Sequence, residues 1–235
     1  MRISKLTIFG WMLMALLPLL PSCSDNDDFD VKAKIHPTAS GTFVDQRDGY
    51  EYKWVRYGNL EWMAENARYD LKNADLCRVY RGYEDYNGAT ESQFLPKYGR
   101  LYSYQGALDA CPEGWRLPTD EDWQNLEQQM GMSAGESQAW DWRGQVAHRM
   151  LVLYGDETDL NLQLGGFQTE HTVMGSTGYY FNGVYGFFWT SSRDDNKDGE
   201  YYIYRKFAYN KTAIYRQSIE KLYNYLSVRY CRDAK

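Results

Sequence analysis

The sequence has few cysteines and histidines and no excess of basic residues, and each shortage excludes a class of site or partner. Its 235 residues include four cysteines and three histidines, and none of them stand as CxxC or at another zinc-binding spacing. We therefore expect no structural zinc site. A net charge of −6 is opposite to that of most nucleic-acid-binding surfaces. Nucleic acid is excluded as a partner on this ground, and so is attraction to an anionic membrane surface.

The patterns of common enzyme chemistry are also missing. The sequence contains no phosphate-binding glycine loop, no distinctive pair of carboxylates and no Ser/His/Asp arrangement. The segment from Gly131 to Gly135 matches the G-x-S-x-G nucleophile elbow, but an elbow follows a strand, and a helix is predicted before this segment. We therefore predict no catalytic residues.

Aromatic residues, in contrast, are abundant. Tyrosine occurs 22 times and tryptophan eight times. Such side chains favour strands, and where they are exposed they form platforms for ligands. The composition predicts a β-rich domain in which most aromatic rings fill the core and some form a binding face.

The first 22 residues have the pattern of a secretory signal. Arg2 and Lys5 form a basic start, and an almost wholly apolar run extends from Leu6 to Leu20. The predicted organisation is a signal peptide over residues 1–22, an acidic and polar tether over residues 23–40 and one folded domain over residues 41–235.

The end of the apolar run, Leu20-Pro21-Ser22-Cys23, resembles a bacterial lipobox in which Cys23 is lipidated. The acidic residues that follow resemble the tract that directs Bacteroidetes lipoproteins to the outer face of the outer membrane, although such a run is also a simple solvated tether. The resemblance implies a palmitate-carrying lipoprotein that is anchored in the outer membrane and exposed at the cell surface. A plain signal peptide or a single membrane anchor is the alternative.

The segment from Cys111 to Met130 predicts a tight turn followed by a capped helix. Pro118 disfavours helix before it, Thr119 is a good N-cap, and three acidic residues beginning at Asp120 fill the first turn. Trp115 and Trp123 flank this cap. We expect both tryptophans to be buried in the core.

Strand patterns occupy the two ends of the predicted domain. Asp48-Gly49 is a hairpin signal between Thr42–Val44 and the alternating run Tyr50–Tyr57. Further strands are predicted at Leu60–Met63, Leu160–Phe167, Tyr179–Phe181, Gly186–Ser192, Tyr201–Tyr209, Ala213–Arg216 and Leu222–Arg232. A helix is predicted near Leu101–Leu108, and Tyr69–Pro96 is predicted to be an irregular insertion.

Several of these segments resemble the Fibrobacter succinogenes major paralogous domain family. They are the opening Gly41–Asn66, the string Tyr98–Tyr102, the central C-P-x-G-W-R-L-P-T of Cys111–Thr119 and the closing Leu226–Asp233. The resemblance implies an α+β domain with a C-type-lectin-like fold. Such a fold would contain two short helices, a twisted and mostly antiparallel sheet and long loops, with the first and last strands adjacent.

The cysteines allow at most one disulfide if Cys23 is lipidated. The family often has two cysteines in the insertion, and here Cys77 stands alone, which predicts that it is the free thiol. In the closing strand Tyr230 takes the usual cysteine position and Cys231 follows one residue later. Because strand side chains alternate between faces, this shift makes a disulfide between Cys111 and Cys231 doubtful.

A calcium site is a weak candidate in the loop after the Gly186–Ser192 strand. Asp194, Asn196 and Asp198 have the oxygen spacing of the first half of an EF-hand loop, but Arg205 stands where the bidentate Glu is required. A solvated turn between two strands is the favoured alternative. No other cofactor is predicted.

The predicted function is that of a non-catalytic binding module for a surface glycan or a protein ligand. Aromatic and polar residues crowd into the segment between Tyr179 and Tyr225, a mixture typical of binding surfaces. The candidate contacts are Trp189, Arg193, Tyr202, Tyr204, Arg205, Tyr209, Asn210, Tyr215, Arg216, Tyr223 and Asn224, of which Trp189 is expected to be core more than contact.

Three alternatives remain open at this point. Part of the central segment also resembles formylglycine-generating enzymes, but their chemistry requires two reactive cysteines near the C-terminus, and only Cys231 is present, flanked by Arg229 and Arg232, which favour a lowered thiol pKa. The second alternative is a lectin-like ligand-binding protein diversified by a retroelement. The third is an adhesin or structural subunit.

Overall fold

Short helices and strands follow one another along the part of the chain that the computed structural model describes, residues 35–81, 91–173 and 176–235. The strands are β1 Ala39–Val44, β2 Glu51–Tyr57, β3 Leu60–Met63, β4 Cys77–Arg78, β5 Leu101–Tyr102, β6 Asp141–Arg143, β7 Gly165–Val173, β8 Ser176–Asn182, β9 Tyr185–Arg193, β10 Tyr201–Ala208, β11 Ile214–Glu220, β12 Asn224–Tyr225 and β13 Cys231–Asp233. The helices are α1 Glu91–Tyr98, α2 Tyr104–Asp109, α3 Asp120–Gln129, α4 Ala134–Gln138 and α5 Ala147–Met150, and a 3-10 turn follows at Val152–Tyr154. The predicted signal segment and the lipidation site Cys23 lie outside the described residues.

The opening hairpin and the last strand belong to one four-stranded sheet. Strands β1 and β2 pair in antiparallel register around the predicted turn, where Gly49 has a φ of 75° that favours glycine. The strand order is β1-β2-β3-β13, so the last strand lies beside β3. The expectation that the first and last strands are neighbours is therefore wrong, although both strands lie in the same sheet.

The second sheet carries most of the C-terminal half. Its order is β12-β7-β9-β10-β11-β6, with β8 paired to β7. The pairs β9/β10, β10/β11 and β11/β6 are antiparallel, and a parallel pair joins β7 to β9. Together with the first sheet this confirms the mixed architecture with mostly antiparallel strands.

Helix α3 begins and ends where the sequence predicts. Thr119 accepts a hydrogen bond from the backbone N–H of Asp122, and the Asp122 carboxylate accepts one from the Thr119 N–H, which completes a capping box. Trp123 is fully buried against Trp62, and Trp115 is 8% exposed. The predictions of a cap at Thr119 and of two buried tryptophans are confirmed.

The sequence predicted too few helices. The described residues contain five α-helices, whereas two were expected. Helix α1 lies at the end of the supposed irregular insertion, where Pro96 argues against a helix in the sequence but lies in its last turn. The strand predicted from Leu160 begins only at Gly165, because Asp159 and Asn161 have positive φ angles of 54° and 51° that interrupt an extended chain.

All three described cysteines are unpaired. Cys231 packs in one hydrophobic cluster with Trp123, whereas Tyr230 points into a second cluster, against which Cys111 packs. The Tyr230 hydroxyl donates to the carbonyl of Ala107 at 2.6 Å. The one-residue shift in the closing strand therefore turns the Cys231 thiol to the opposite face from Cys111.

No helix within the described residues combines the length and the apolar character needed to span a bilayer.

Candidate functional site

The register of the second sheet assigns its side chains to two faces. In antiparallel strands, residues directly opposite each other lie on the same face, and neighbours along one strand lie on opposite faces. Arg205 of β10 lies opposite Phe188 and Arg216, and the next residue, Lys206, lies opposite Phe187 and Tyr215. The first set is directed towards α3 and the second away from it.

The face towards α3, which we call the ionic face, is closed by a buried network of charges. The Arg205 guanidinium donates to Asp120 at 2.7 Å and to Glu127 at 2.7 Å. Arg216 donates to Asp120 at 2.6 Å, and Arg143 donates to Glu127 at 2.6 Å. Three arginines thus share two carboxylates of α3, and charge and hydrogen bonding are satisfied inside the protein.

The network lowers the pKa of its central carboxylate. Burial alone would raise the pKa of Asp120, but hydrogen bonds and the positive charges of Arg216 and Arg205 bring it below its usual value. Asp120 is therefore ionised throughout the neutral range.

This network corrects the prediction for two candidate contacts. Arg205 is fully buried and Arg216 is 7% exposed. A ligand at the surface cannot reach either guanidinium without displacing a carboxylate of α3, so both residues are removed from the candidate binding face.

Three further candidates are buried for other reasons. Trp189 is fully buried, as expected, and its indole N–H donates to the carbonyl of Tyr102 at 2.8 Å. Tyr204 is 8% exposed and packs between neighbouring rings of its sheet face. The Asn224 amide donates to Glu220 and Leu222, so it fixes the turn before β12.

The opposite face of the sheet carries a row of aromatic side chains. Phe187, Lys206, Tyr215 and Trp142 lie directly opposite one another on β9, β10, β11 and β6. We call these four residues, three with aromatic rings and one lysine, the aromatic row. The Tyr215 and Trp142 rings lie 5.1 Å apart between centroids, and both side chains are half-buried. The row therefore runs from the interior at Phe187 to a solvent-accessible end at Trp142.

Lys206 is a cation among these rings. Its ammonium lies 3.8 Å from the centroid of Tyr215, 5.2 Å from that of Trp142 and 5.4 Å from that of Tyr185. Burial lowers the pKa of this lysine, and the negative charge of Asp141 opposes that shift. Within the described ranges the Lys206 ammonium has no hydrogen bond or ion pair.

Helix α2 covers one end of the same face. The Tyr104 ring stacks on Tyr202 with a centroid distance of 3.7 Å and meets Trp189 edge to face at 5.6 Å. The Tyr202 ring is thus half-buried by packing. The open part of the face lies at the other end, around Lys206, Tyr215 and Trp142.

The remaining candidate contacts lie outside the row, Arg193 at the end of β9 and the other three in turns or loops. Arg193, Tyr209, Asn210 and Tyr223 are exposed. Of the predicted ligand contacts, the structure brings Tyr202, Tyr204, Tyr215 and the buried Trp189 onto the aromatic sheet face, and Arg193 lies opposite Tyr202 at the end of β9.

The loop after β9 uses its acidic residue within the protein. Asp194 is 5% exposed, and its carboxylate accepts hydrogen bonds from Ser218 at 2.6 Å and from the side-chain amide of Asn196 at 3.3 Å. Both carboxylate oxygens of Asp194 are therefore engaged in hydrogen bonds within the protein, whereas a calcium site would use carboxylate oxygens as ligands of the ion. Asp198 is exposed, and among the described residues no group of three or more His, Cys, Asp or Glu side chains could hold a metal ion. The arrangement is that of a hydrogen-bonded turn.

The cysteine thiols are poor nucleophiles in this setting. Burial raises the pKa of Cys111 to about 12. Burial, together with the Asp122 carboxylate 3.9 Å from the sulfur, raises the pKa of the Cys231 thiol well above its usual range. The expectation that Arg229 and Arg232 lower the pKa of Cys231 is wrong, because Arg229 bonds to other groups and Arg232 pairs with Glu61 at 2.7 Å.

The sequence reasoning missed Trp142, Lys206, Phe187 and Tyr185 as members of the site. Strand β6 has only three residues, which is too short for an alternating pattern. A usable signal was present in β10, where Tyr202, Tyr204 and Lys206 share one face by alternation.

Comparison with known proteins adds one match. The model of the family described as the Fibrobacter succinogenes major domain matches residues 55–232, well over half of the chain. This span includes helix α3 and the whole of the second sheet. No curated protein and no solved structure matches the chain.

Proposed function

The chain belongs to the Fibrobacter succinogenes major domain family, and on that premise we propose that it is a non-catalytic binding module whose ligand contacts the aromatic row. The observation that carries the proposal is the half-buried end of that row. Tyr215 and Trp142 remain accessible to solvent around a lysine that has no ionic partner within the described ranges. Adjacent accessible aromatic side chains on a sheet face are typical of binding sites.

A saccharide fits the chemistry of this face. The flat rings of Tyr215 and Trp142 offer apolar surfaces for stacking, while the phenol group and the Lys206 ammonium offer hydrogen bonds at their edges. Gln217, half-buried on the same face of β11, adds an amide. A glycan combines apolar C–H surfaces with hydroxyl groups and can use both kinds of contact. A protein ligand is the alternative.

Within this proposal the domain has a C-type-lectin-like fold and works outside the cell. The mixed sheets and short helices agree with such a fold, as the family resemblance implies. The sequence before the domain agrees with lipid attachment at Cys23 and with a surface-exposed outer membrane lipoprotein.

The non-catalytic part of the proposal rests on the thiols and carboxylates. An enzyme of the formylglycine-generating type needs accessible, reactive cysteines, and Cys231 is buried with a raised pKa. The three buried carboxylates of α3, those of Asp120, Asp122 and Glu127, are committed to arginines.

A glycan array probed with the full chain tests the ligand class. We expect binding to a subset of glycans, and for those glycans Tyr215→Ala or Trp142→Ala should raise the Kd by about tenfold or more, the equivalent of 1.4 kcal/mol. Tyr223→Ala and Trp140→Ala are matched controls, because both side chains are exposed and lie outside the row. If the controls abolish binding and the row variants do not, the site is elsewhere, and if no glycan binds, the saccharide assignment is wrong.

Membrane fractionation tests the anchoring part. Cys23→Ala should release the protein from membranes, because no other cysteine stands in a lipobox frame. A Cys23→Ala protein that still sediments with membranes would contradict lipid attachment at this residue.

A further inference from the structure

A cavity lined by residues of β2, of helix α1 and of the segments around Arg68 and Arg229 has four cationic residues in its lining. It has a volume of about 180 Å³, and its charged lining residues are Lys53, Glu65, Arg68, Lys97 and Arg229. A single water molecule needs roughly 10–15 Å³ of such volume, so several waters or a small ion fit inside. We propose that this cavity, which we call the cationic cavity, binds a small oxyanion such as phosphate, sulfate or a carboxylate group.

The buried charge of Arg229 has no carboxylate partner in the part of the chain that the structure describes. The residue is 1% exposed, and its guanidinium donates to the side-chain oxygen of Asn66 at 2.6 Å and to the carbonyls of Met63, Leu160 and Asn161. All four acceptors are neutral. A guanidinium has five N–H donors, so one remains without an acceptor among the described residues.

Burial without an adjacent counter-charge disfavours the charged form of this guanidinium. It lowers the pKa of Arg229 to about 9, and only the more distant charges of Asp156 and Glu65 oppose the shift. Elsewhere in the protein the buried arginines Arg143, Arg205 and Arg216 each pair with a carboxylate. Within the described residues, Arg229 thus differs from these three arginines in having no carboxylate partner.

The other three cations of the cavity are also free of ion pairs. In residues 35–81, 91–173 and 176–235, no carboxylate lies within ion-pairing distance of Lys53, Arg68 or Lys97. The charged groups of Arg68 and Lys97 lie over the aromatic rings of Tyr50 and Tyr98. Four cationic residues therefore line one cavity, and none of them has an ion pair among the described residues.

One carboxylate lines the cavity in the described part of the chain. Glu65 accepts a hydrogen bond from the Tyr50 hydroxyl at 2.7 Å and a longer one from the Lys53 backbone N–H at 3.4 Å. The formal charge of the lining is four positive against one negative, a net excess of three. An anion would gain from this field, and a cation would be repelled.

The chemical class follows from the donors. Guanidinium groups match oxyanions because their N–H groups can contact two oxygens at once, and ammonium groups add point charges. Phosphate, sulfate and carboxylate present such oxygens. The small volume favours a free ion or the terminal group of a larger molecule.

Isothermal titration of the full chain with inorganic phosphate, sulfate and acetate tests the proposal. We expect binding of at least one of them, with a Kd that rises by about tenfold for Arg68→Gln and for Lys53→Gln, because a charged hydrogen bond is lost in each. Lys197→Gln is the matched control, since this lysine is exposed and lies in the turn after β9. Neither variant requires Arg229 to be changed, so loss of folding does not confuse the result.

Two outcomes would overturn the proposal. The first is no heat and no rise in melting temperature with any of the three anions at millimolar concentration, since a ligand that binds the native state must stabilise it. The second is anion binding that Lys197→Gln weakens as much as Arg68→Gln does, because that pattern indicates general charge attraction. Neither outcome bears on the aromatic row, which lies on different strands.

Discussion

The two faces of the second sheet are built from the same strands, but their side chains differ in how far they are buried. On the ionic face, Arg205 and Arg216 are enclosed by the carboxylates of α3 and are almost completely shielded from water. On the other face, Lys206 and Tyr215 occupy the neighbouring positions along the strands and remain half-buried. Both faces carry cationic and aromatic side chains along the strands. They differ in burial because α3 packs against the ionic face.

We therefore expect mutations on the two faces to have different effects, on stability for the ionic face and on ligand binding for the aromatic row. Buried charges cost several kcal/mol to desolvate, and they are tolerated only when their partners are in place. The ionic face meets that condition, so changes to its members should lower the free energy of unfolding. The aromatic row has no such closed network, so changes there should affect a ligand more than the fold.

The largest effect should come from Trp123, which supports α3 on the ionic side. Trp123→Ala removes a fully buried ring that packs on Trp62, Phe188 and Phe207. We expect a loss of about 4 kcal/mol in the free energy of unfolding, measured by urea denaturation. Trp142→Ala on the aromatic row is the matched change, and an equal loss there would break the comparison.

The next effect concerns Glu127, the carboxylate shared by Arg143 and Arg205. Glu127→Gln keeps the shape of the side chain but leaves both arginines short of one negative charge in a fully buried place. The free energy of unfolding should fall by about 3 kcal/mol, since breaking a buried ion pair is strongly destabilising. A change below about 1 kcal/mol would show that water or another group already screens the network.

Acid should weaken the ionic face before it affects the aromatic row. Because the pKa of Asp120 is lower in the folded state, its contribution is complete above its unfolded pKa of about 4 and is lost as the pH falls through the lower folded value. Unfolding measured between pH values of about 6 and 2 should therefore show a decrease in stability. Asp120→Asn should be less stable at neutral pH and should show a weaker pH dependence, and an unchanged acid profile would contradict this role.

The smallest effect should come from Lys206. Lys206→Met removes the cation–π contacts but also removes the cost of holding an unpaired, half-buried ammonium among rings. The two contributions oppose each other, so the free energy of unfolding should change by less than about 1 kcal/mol. A loss comparable to that of Glu127→Gln would mean that this lysine has a structural role and would remove the contrast between the faces.

Local signals in the sequence were sufficient for the parts of the fold that depend on neighbouring residues. The cap at Thr119 and the hairpin at Gly49 follow from residues close in the chain, and both were predicted. The burial of Arg205 depends on its ion pair with Asp120, which lies 85 positions earlier. Alternation in a strand predicts two faces but does not tell which face a distant helix will cover.

The candidate site was predicted only in part for the same reason. Tyr204 and Tyr215 were chosen as aromatic residues in strands, and they do lie on the face with the aromatic row. Trp142 comes from a three-residue strand some 70 positions before Tyr215, and only the register of β6 on β11 brings the two rings together. The four cationic residues of the cationic cavity come from four separate segments, and no sequence pattern links them.

Oxidative footprinting of the full chain, with and without a glycan selected on the array, tests the central claim most directly. The account predicts that the ligand lowers the oxidation of Trp142 and Tyr215, while the exposed Trp140 and Tyr223 react as before. Unchanged oxidation along the aromatic row, with protection of Trp54 or Tyr223 in its place, would contradict the assignment of binding to this face of the sheet.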